Sequence, residues 1–237
     1  MRVELVIDSA DRLGECPIWD EREQALWWVD ILAPAIKRFD GKLKVFPMPE
    51  PIGSIAFRTT GGLLAAMQTG IYIWESGRLQ LLACPDEHDK THRFNDGRCD
   101  RAGRFWVGTM KDPEHTPTGA LYSFKEKFEL KRSGIKVPNS LAWSPDGRTM
   151  YFADSPRHKI WAFDYDADVG EMRNERLFAA PHPGFPDGSC VDAVGCLWNA
   201  EYGGAQLDTL YVTTAQGGGV YAFNCPVKGL AEARFAG

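Results

Sequence analysis

One short pattern recurs along this chain and constrains what it can fold into. A turn precedes an apolar, aromatic-rich run that ends in a small or polar residue. The copies start at Leu26 (LWWVDI), Leu63 (LLAAMQ), Phe105 (FWVGTM), Met150 (MYFADS), Leu197 (LWNAEY) and Leu210 (LYVTTA). The first five begin 37, 42, 45 and 47 residues apart. The first four are each followed, after a loop, by a second strand-like run: AIKRFD, GIYIWES, GALYSFK and KIWAFDYD. Period-2 or short apolar runs bounded by Gly, Pro and Asp read as strands. Strands without intervening helices, repeating every 40 residues or so, are the mark of β-propeller blades. An irregular β-sandwich would not account for the shared period. The expectation is an all-β chain forming one propeller domain over residues 1–237.

The last spacing breaks the rule. Leu197 and Leu210 are 13 residues apart, too few for a four-stranded blade of about 40 residues. The chain is therefore expected to form five complete blades, or a ring with an irregular, shortened last blade.

The same period points at a site. The residues 10 or 11 positions before the first five copies are Glu15, Ile52, Asn95, Asn139 and Asp187. Equivalent positions in successive blades lie on a ring around the propeller axis, so four oxygen-bearing side chains converge at one mouth of the channel. Glu, Asn and Asp are hard oxygen donors, suited to Ca²⁺ or Mn²⁺ with positions left open for water or substrate. The alternative is that Asn and Asp cap turns through nearby backbone. Arg93 precedes Asn95 by two residues and shares its strand face. Its guanidinium suits a carboxylate or sugar hydroxyls, or else a surface or inter-blade salt bridge. Asp96 and Gly97 read as turn residues, as do Asp146 and Gly147.

Composition narrows the partners. A net charge of -5 disfavours nucleic acid. No stretch approaches the roughly 18 apolar residues of a membrane span, and MRVELVIDSADRLGE does not read as a secretory signal. A cytoplasmic location is expected. Cys16, Cys84, Cys99, Cys190, Cys196 and Cys225 contain no C-x-x-C pair and read as buried free thiols. No G-x-S-x-G elbow is present, so a serine hydrolase is disfavoured. His88, His92, His115, His158 and His182 form no i, i+4 zinc pair and read as solvated loop residues.

Several segments together resemble the SMP-30/gluconolactonase family, which includes regucalcin: LGECPIWDEREQALWWVDI (13–31), RFNDGRCDRAGRFWVGTM (93–110), GALYSF (119–124), PNSLAWSPDGRTMYFADS (138–155), FPDGSCVDAVGCLWNAEYGG (185–204) and LDTLYVTTA (207–215). The resemblance runs over nearly the whole chain. It implies a six-bladed propeller and metal-dependent hydrolysis of sugar lactones. It also implies that one divalent cation, Ca²⁺ first and Zn²⁺, Mn²⁺ or Fe²⁺ next, is held by Glu15, Asn139 and Asp187. Arg93 and Asn95 would contact substrate, and Asp187 would double as the general base. Family members carry a longer segment between the equivalents of Gly204 and Leu207 and a longer loop between those of Ala215 and Gly218, together about one blade. Some relatives also supply a Glu before G-A-L-Y. Here His115 stands at that position with Glu114 beside it, so the role is not carried over. The expected function is opening of a sugar lactone. A non-catalytic calcium-binding protein and an inactive blade-deletion variant are the alternatives. Neither the lactone nor the oligomeric state follows from the sequence.

Overall fold

The strands at the heart of the first four repeats are buried on both faces, which is why they read as unbroken apolar runs rather than alternating ones. In a computed structural model that describes residues 2–180, 184–214 and 217–237, the six repeated copies are the second strands of six antiparallel sheets. After β1 (Glu4–Asp8), the first sheet is β2 (Gly14–Asp20), β3 (Ala25–Asp30), β4 (Ala35–Phe39) and β5 (Leu43–Pro47). The second is β6 (Ile52–Phe57), β7 (Leu63–Met67), β8 (Gly70–Glu75) and β9 (Arg78–Ala83). The third is β10 (His92–Cys99), β11 (Phe105–Lys111), β12 (Gly119–Phe124) and β13 (Phe128–Ile135). The fourth is β14 (Pro138–Trp143), β15 (Thr149–Asp154), β16 (Lys159–Asp166) and β17 (Glu171–Ala179). The fifth has two strands, β18 (Cys190–Val191) and β19 (Leu197–Trp198). The sixth runs β20 (Glu201–Gly203), β21 (Thr209–Thr213), β22 (Gly219–Asn224) and then back to β1.

Five sheets are thus four-stranded, and the irregularity falls on the sheet before the last. The final sheet completes itself by recruiting the N-terminal strand: β1 pairs antiparallel with β22, Glu4 opposite Ala222 and Asp8 opposite Gly219. Hydrophobic clusters lie between successive sheets all the way round. Trp27, Val29, Ile55 and Trp74 join the first and second sheets, and Phe94, Phe105 and Leu64 the second and third. Trp106, Trp143 and Phe152 join the third and fourth, and Tyr151 and Val191 the fourth and fifth. Tyr202 and Cys190 join the fifth and sixth, and Trp28, Leu26 and Val220 close the sixth on the first. Alternation explains how one strand serves two interfaces: Trp27 faces one neighbour and Trp28 the other.

Two turns repeat a local device. In DRAGRFW, Asp100 accepts the backbone N–H groups of Ala102 and Arg104 and, at 3.3 Å, Trp106 Nε1. In DAVGCLW, Asp192 does the same for Val194, Cys196 and Trp198 Nε1. The aspartate closes the hairpin and pins the tryptophan that packs against the next sheet.

Both ends of the chain stitch the ring. Lys37 is buried; its ammonium donates to Ser9 O at 3.0 Å and to Asp11, and lies 3.5 Å from Asp30. That joins the segment after β1 to the first sheet. At the C-terminus, Phe235 exchanges backbone hydrogen bonds with Phe57 and Thr59, Ala236 donates to Gly103, and Arg234 pairs with Asp20 at 2.7 Å.

The innermost strands carry the feature that makes a site. β2, β6, β10 and β14 each break register near the same point, after Glu15, Ile52, Phe94 and Asn139. Bulges of this kind bend a strand and re-aim its side chains. Cys16 and Ser140, which follow Glu15 and Asn139, sit at φ 50 and φ 60, a left-handed conformation costly for such residues. In the second sheet the bulge brings β6 against β10 so closely that a Cβ on Gly53 would lie 2.3 Å from Phe94 O. Gly53→Ala is therefore expected to destabilise the fold by about 2–4 kcal/mol. A urea midpoint equal to that of the parent chain would show that the two strands are not packed this tightly.

Candidate functional site

Where the bulged inner strands meet, a cavity of about 130 Å³ opens at one mouth of the channel. Glu15, Asp96, Arg98, Asp187, Asn199 and Thr213 are among its lining residues. Glu15 comes from β2, Asp96 and Arg98 from β10, and Thr213 from β21, while Asp187 precedes β18 and Asn199 follows β19. Strands from both ends of the chain therefore build one wall.

The three carboxyl groups perturb one another. Burial pushes the Glu15 carboxyl well above its ordinary range, and the charges of Asp187 and Asp96 add to this against the opposing Arg93. Asp96 is pushed up to about 6, first by burial and also by Asp187; the Leu141 N–H and Arg98 oppose the rise. Asp187 is raised by loss of surrounding water, with the Gly188 N–H pulling the other way. That N–H donates to Asp187 Oδ1 at 3.0 Å.

A chain of hydrogen bonds runs beside the carboxylates. Arg93 is buried; it donates through Nε to Asp112 at 2.8 Å and through NH1 to Asn95 Oδ1 at 2.7 Å. Asn95 Nδ2 donates to Pro138 O at 2.9 Å and to Asn139 Oδ1 at 3.2 Å. Asn139 Nδ2 donates to Ser155 Oγ at 2.8 Å, and that hydroxyl donates to Pro186 O at 2.6 Å, next to Asp187. Ser140 Oγ donates to Asp187 O at 2.6 Å. The amides are thus oriented by the residues they touch. Arg93 makes its salt bridge within its own sheet, to Asp112.

Of the residues named from the period, Glu15 and Asp187 line the cavity, whereas Asn139, Asn95 and Arg93 lie in the adjoining hydrogen-bond network and are not among its lining residues. Ile52, at the same repeat phase, is fully buried in the core between the first two sheets. Asp96 requires a correction. It is a strand residue, not a turn residue: it belongs to β10, its Oδ2 accepts the Leu141 N–H at 3.0 Å, and its carboxyl lines the cavity. The bulge that follows Phe94 turns it inward, and an N-D-G sequence resembles a turn too closely to reveal this. His92 also differs from expectation, being buried in β10 with Nε2 2.9 Å from Thr118 Oγ1. His88 is half-buried and stacks on Phe94, and His182 lies outside the described residues. His115 is exposed, its Nε2 3.9 Å from Asp112.

Sequence reasoning missed the floor of the cavity. Arg98 donates to Glu201 at 2.6 Å and pairs with Glu232 at 2.9 Å. Burial alone would lower the Arg98 pKa, but these two carboxylates hold it well above its usual value. Glu201 is raised by burial and by Glu232, against the pull of Arg98. Among the described residues no group of three or more His, Cys, Asp and Glu has metal-holding geometry. What lines the cavity is an oxygen donor pair, Glu15 and Asp187, with the Asn139 amide in the adjoining network. Its carboxylates repel each other in a half-dry cavity, a situation that a hard cation relieves.

The shifts carry a stability consequence. The folded-state pKa of Asp96 lies above the unfolded value of about 3.9. The folded chain thus binds that proton more tightly, and the group's contribution falls as pH rises from about 4 through about 6. In chelator, Asp96→Asn should stabilise the protein by about 1–3 kcal/mol at pH 7 and by almost nothing at pH 4. Denaturation curves at the two pH values check this; an equal effect at both would remove the electrostatic account.

Comparison with known proteins agrees with this architecture. The pattern of the SMP-30/gluconolactonase/LRE-like region matches residues 13–207. The chain is 32% identical to the 6-deoxy-6-sulfogluconolactonase of Pseudomonas putida, covering 98% of each protein. That alignment spans 284 positions against the 237 residues of this chain, so the relative carries segments that are absent here. The regucalcin of Macaca fascicularis is 35% identical over 231 residues, 91% of this chain and 77% of the relative. A solved calcium-binding regucalcin from Agrobacterium tumefaciens superposes with a TM-score of 0.92 at 25% identity, covering 98% of this chain and 96% of its own. With its all-β ring and this match over most of its length, the chain belongs to the SMP-30/gluconolactonase family.

Proposed function

We propose that this chain is a divalent-metal-dependent sugar lactonase. The observation that carries the reading is the convergence of Glu15, Asp96 and Asp187 on one cavity, where loss of surrounding water raises all three carboxyl groups and the charge of Asp187 adds to the rise at Glu15 and Asp96. Lactonase relatives support a small sugar lactone as the substrate class. Glu15, Asn139 and Asp187 would hold the cation, with Ca²⁺ the first candidate on the strength of the calcium-binding regucalcin neighbour. When bound, such a cation supplies Lewis-acid polarisation of the ester carbonyl.

The protein's own groups do the rest. Asp187 Oδ1 is occupied by the Gly188 N–H, which leaves Oδ2 to take the proton of an attacking water. A carboxylate beside the cation is placed to take that proton, and the cation's charge lowers its basicity. Arg93 and Asn95 orient the sugar ring from the side of the network that also fixes Asn139. Asp112 holds the Arg93 fork in place, so the arginine acts as a preset donor rather than a free arm. All six cysteines are unpaired, as in a protein of the reducing cytoplasm. No helix among the described residues is long and apolar enough to cross a membrane.

The deciding experiment is a pH-stat assay of glucono-δ-lactone and pentonolactone hydrolysis. The protein is first stripped with chelator, then given Ca²⁺, Mn²⁺ or Zn²⁺. Activity should vanish on stripping and return with one cation. A folded protein that binds metal without turnover would favour the calcium-binding reading. Asp187→Asn should cut kcat by more than about a hundredfold. Arg93→Ala should act chiefly on KM, raising it about tenfold; an unchanged KM would remove Arg93 from the substrate site.

A further inference from the structure

The short fifth sheet changes the wall of the cavity. β19 does not turn back into a third strand. It passes through Asn199 and Ala200 directly into β20, the innermost strand of the sixth sheet. Asn199 and Ala200 form a bend between the two strands. Asn199 lines the cavity, and Glu201 holds Arg98 on its floor. The shortening thus brings Asn199 to the cavity and Glu201 to an arginine that lines it.

The Asn199 side chain is exposed and engaged through its amide oxygen. Ser189 Oγ donates to Asn199 Oδ1 at 2.9 Å and lies 3.0 Å from Ser140 Oγ. Ser140 in turn is anchored on Asp187 O. With its carbonyl oxygen engaged, Asn199 presents Nδ2, and among the described residues no hydrogen bond occupies it. Its neighbours across the cavity, Glu15, Asp96 and Asp187, are acceptors when ionised.

We propose that Asn199 is a substrate-contacting residue that selects for hydroxylated rings. A hydroxyl both accepts and donates. One placed in the cavity takes a hydrogen bond from Asn199 Nδ2 and gives its own proton to a carboxylate opposite. An ether or an alkyl substituent satisfies at most half of that arrangement. This inference rests on the lactonase reading for its substrate, but the contact can be measured without turnover.

The test uses the whole chain loaded with the cation that supports activity, or with Ca²⁺ if none does. Asn199→Leu removes the donors at similar volume, and Asn199→Ser is a smaller, polar second variant should the first fold poorly. Two quantities are read: KM and kcat for glucono-δ-lactone, and the calorimetric Kd for 1,5-anhydroglucitol, a ring polyol that lacks the reacting carbonyl. Asn199→Leu should raise both KM and Kd about fivefold to tenfold, the loss of one hydrogen bond to an uncharged partner, with a smaller effect on kcat. Lactone turnover with unchanged KM and Kd in both variants would overturn the contact and leave the lactonase reading standing. No turnover in the parent chain, but weaker anhydroglucitol binding in the variants, would overturn the lactonase reading and keep the contact. A parent chain that neither hydrolyses lactone nor binds the polyol would overturn both.

Discussion

A single buried ammonium holds this molecule closed. Lys37, on the third strand of the first sheet, reaches Ser9 O and the carboxylates of Asp11 and Asp30. Asp11 also accepts Trp28 Nε1 at 3.1 Å. A lone buried cation would be costly, and so would two buried aspartates; together they offset one another only in the closed ring. That closure presses the sixth sheet against the first. The sixth sheet supplies Tyr211, Val212 and Thr213 to the cavity, and the first supplies Glu15. The site therefore exists only as long as the ends of the chain are joined.

The cavity is the costly part of the fold. Three carboxyl groups are raised by burial, two of them also by a neighbouring carboxylate, and two left-handed residues follow two of the bulged positions. Nothing in packing favours such an arrangement. The hydrophobic clusters between the sheets supply the stability that tolerates it, and the bulges convert regular inner strands into a set of convergent oxygen atoms.

Much of this is legible in the amino-acid sequence, because a propeller writes its architecture as a period. The runs at Leu26, Leu63, Phe105, Met150, Leu197 and Leu210 are all second strands. The offset of 10 or 11 residues back from the first five leads to Glu15, Asn139 and Asp187. What the period does not show is local. Asp96 stands next to a ring position but is aimed inward by a bulge, which has no sequence period. His92 sits among turn-like residues yet is covered by the hairpin that carries Thr118. Asn199 reaches the cavity and Glu201 reaches Arg98 where the chain passes from β19 directly into β20, and a missing segment leaves no pattern to read. The shortfall itself is visible in the spacing of 13, but the sheet that bears it is not: the last sheet is made whole by a strand from the other terminus.

The two-stranded fifth sheet shows how the work of a blade is divided. β18 and β19 keep Val191 and Leu197 against the fourth sheet, and Cys190 and Trp198 against the sixth. A wheel keeps its shape while each spoke reaches the hub and touches its neighbours; how far it extends toward the rim matters less. Inner strands carry the circumference, and outer strands act as buttress. In such a molecule length is lost most readily from the perimeter. A chain can shed strands there while the axis, where chemistry resides, keeps its lining and even acquires new residues at the seam.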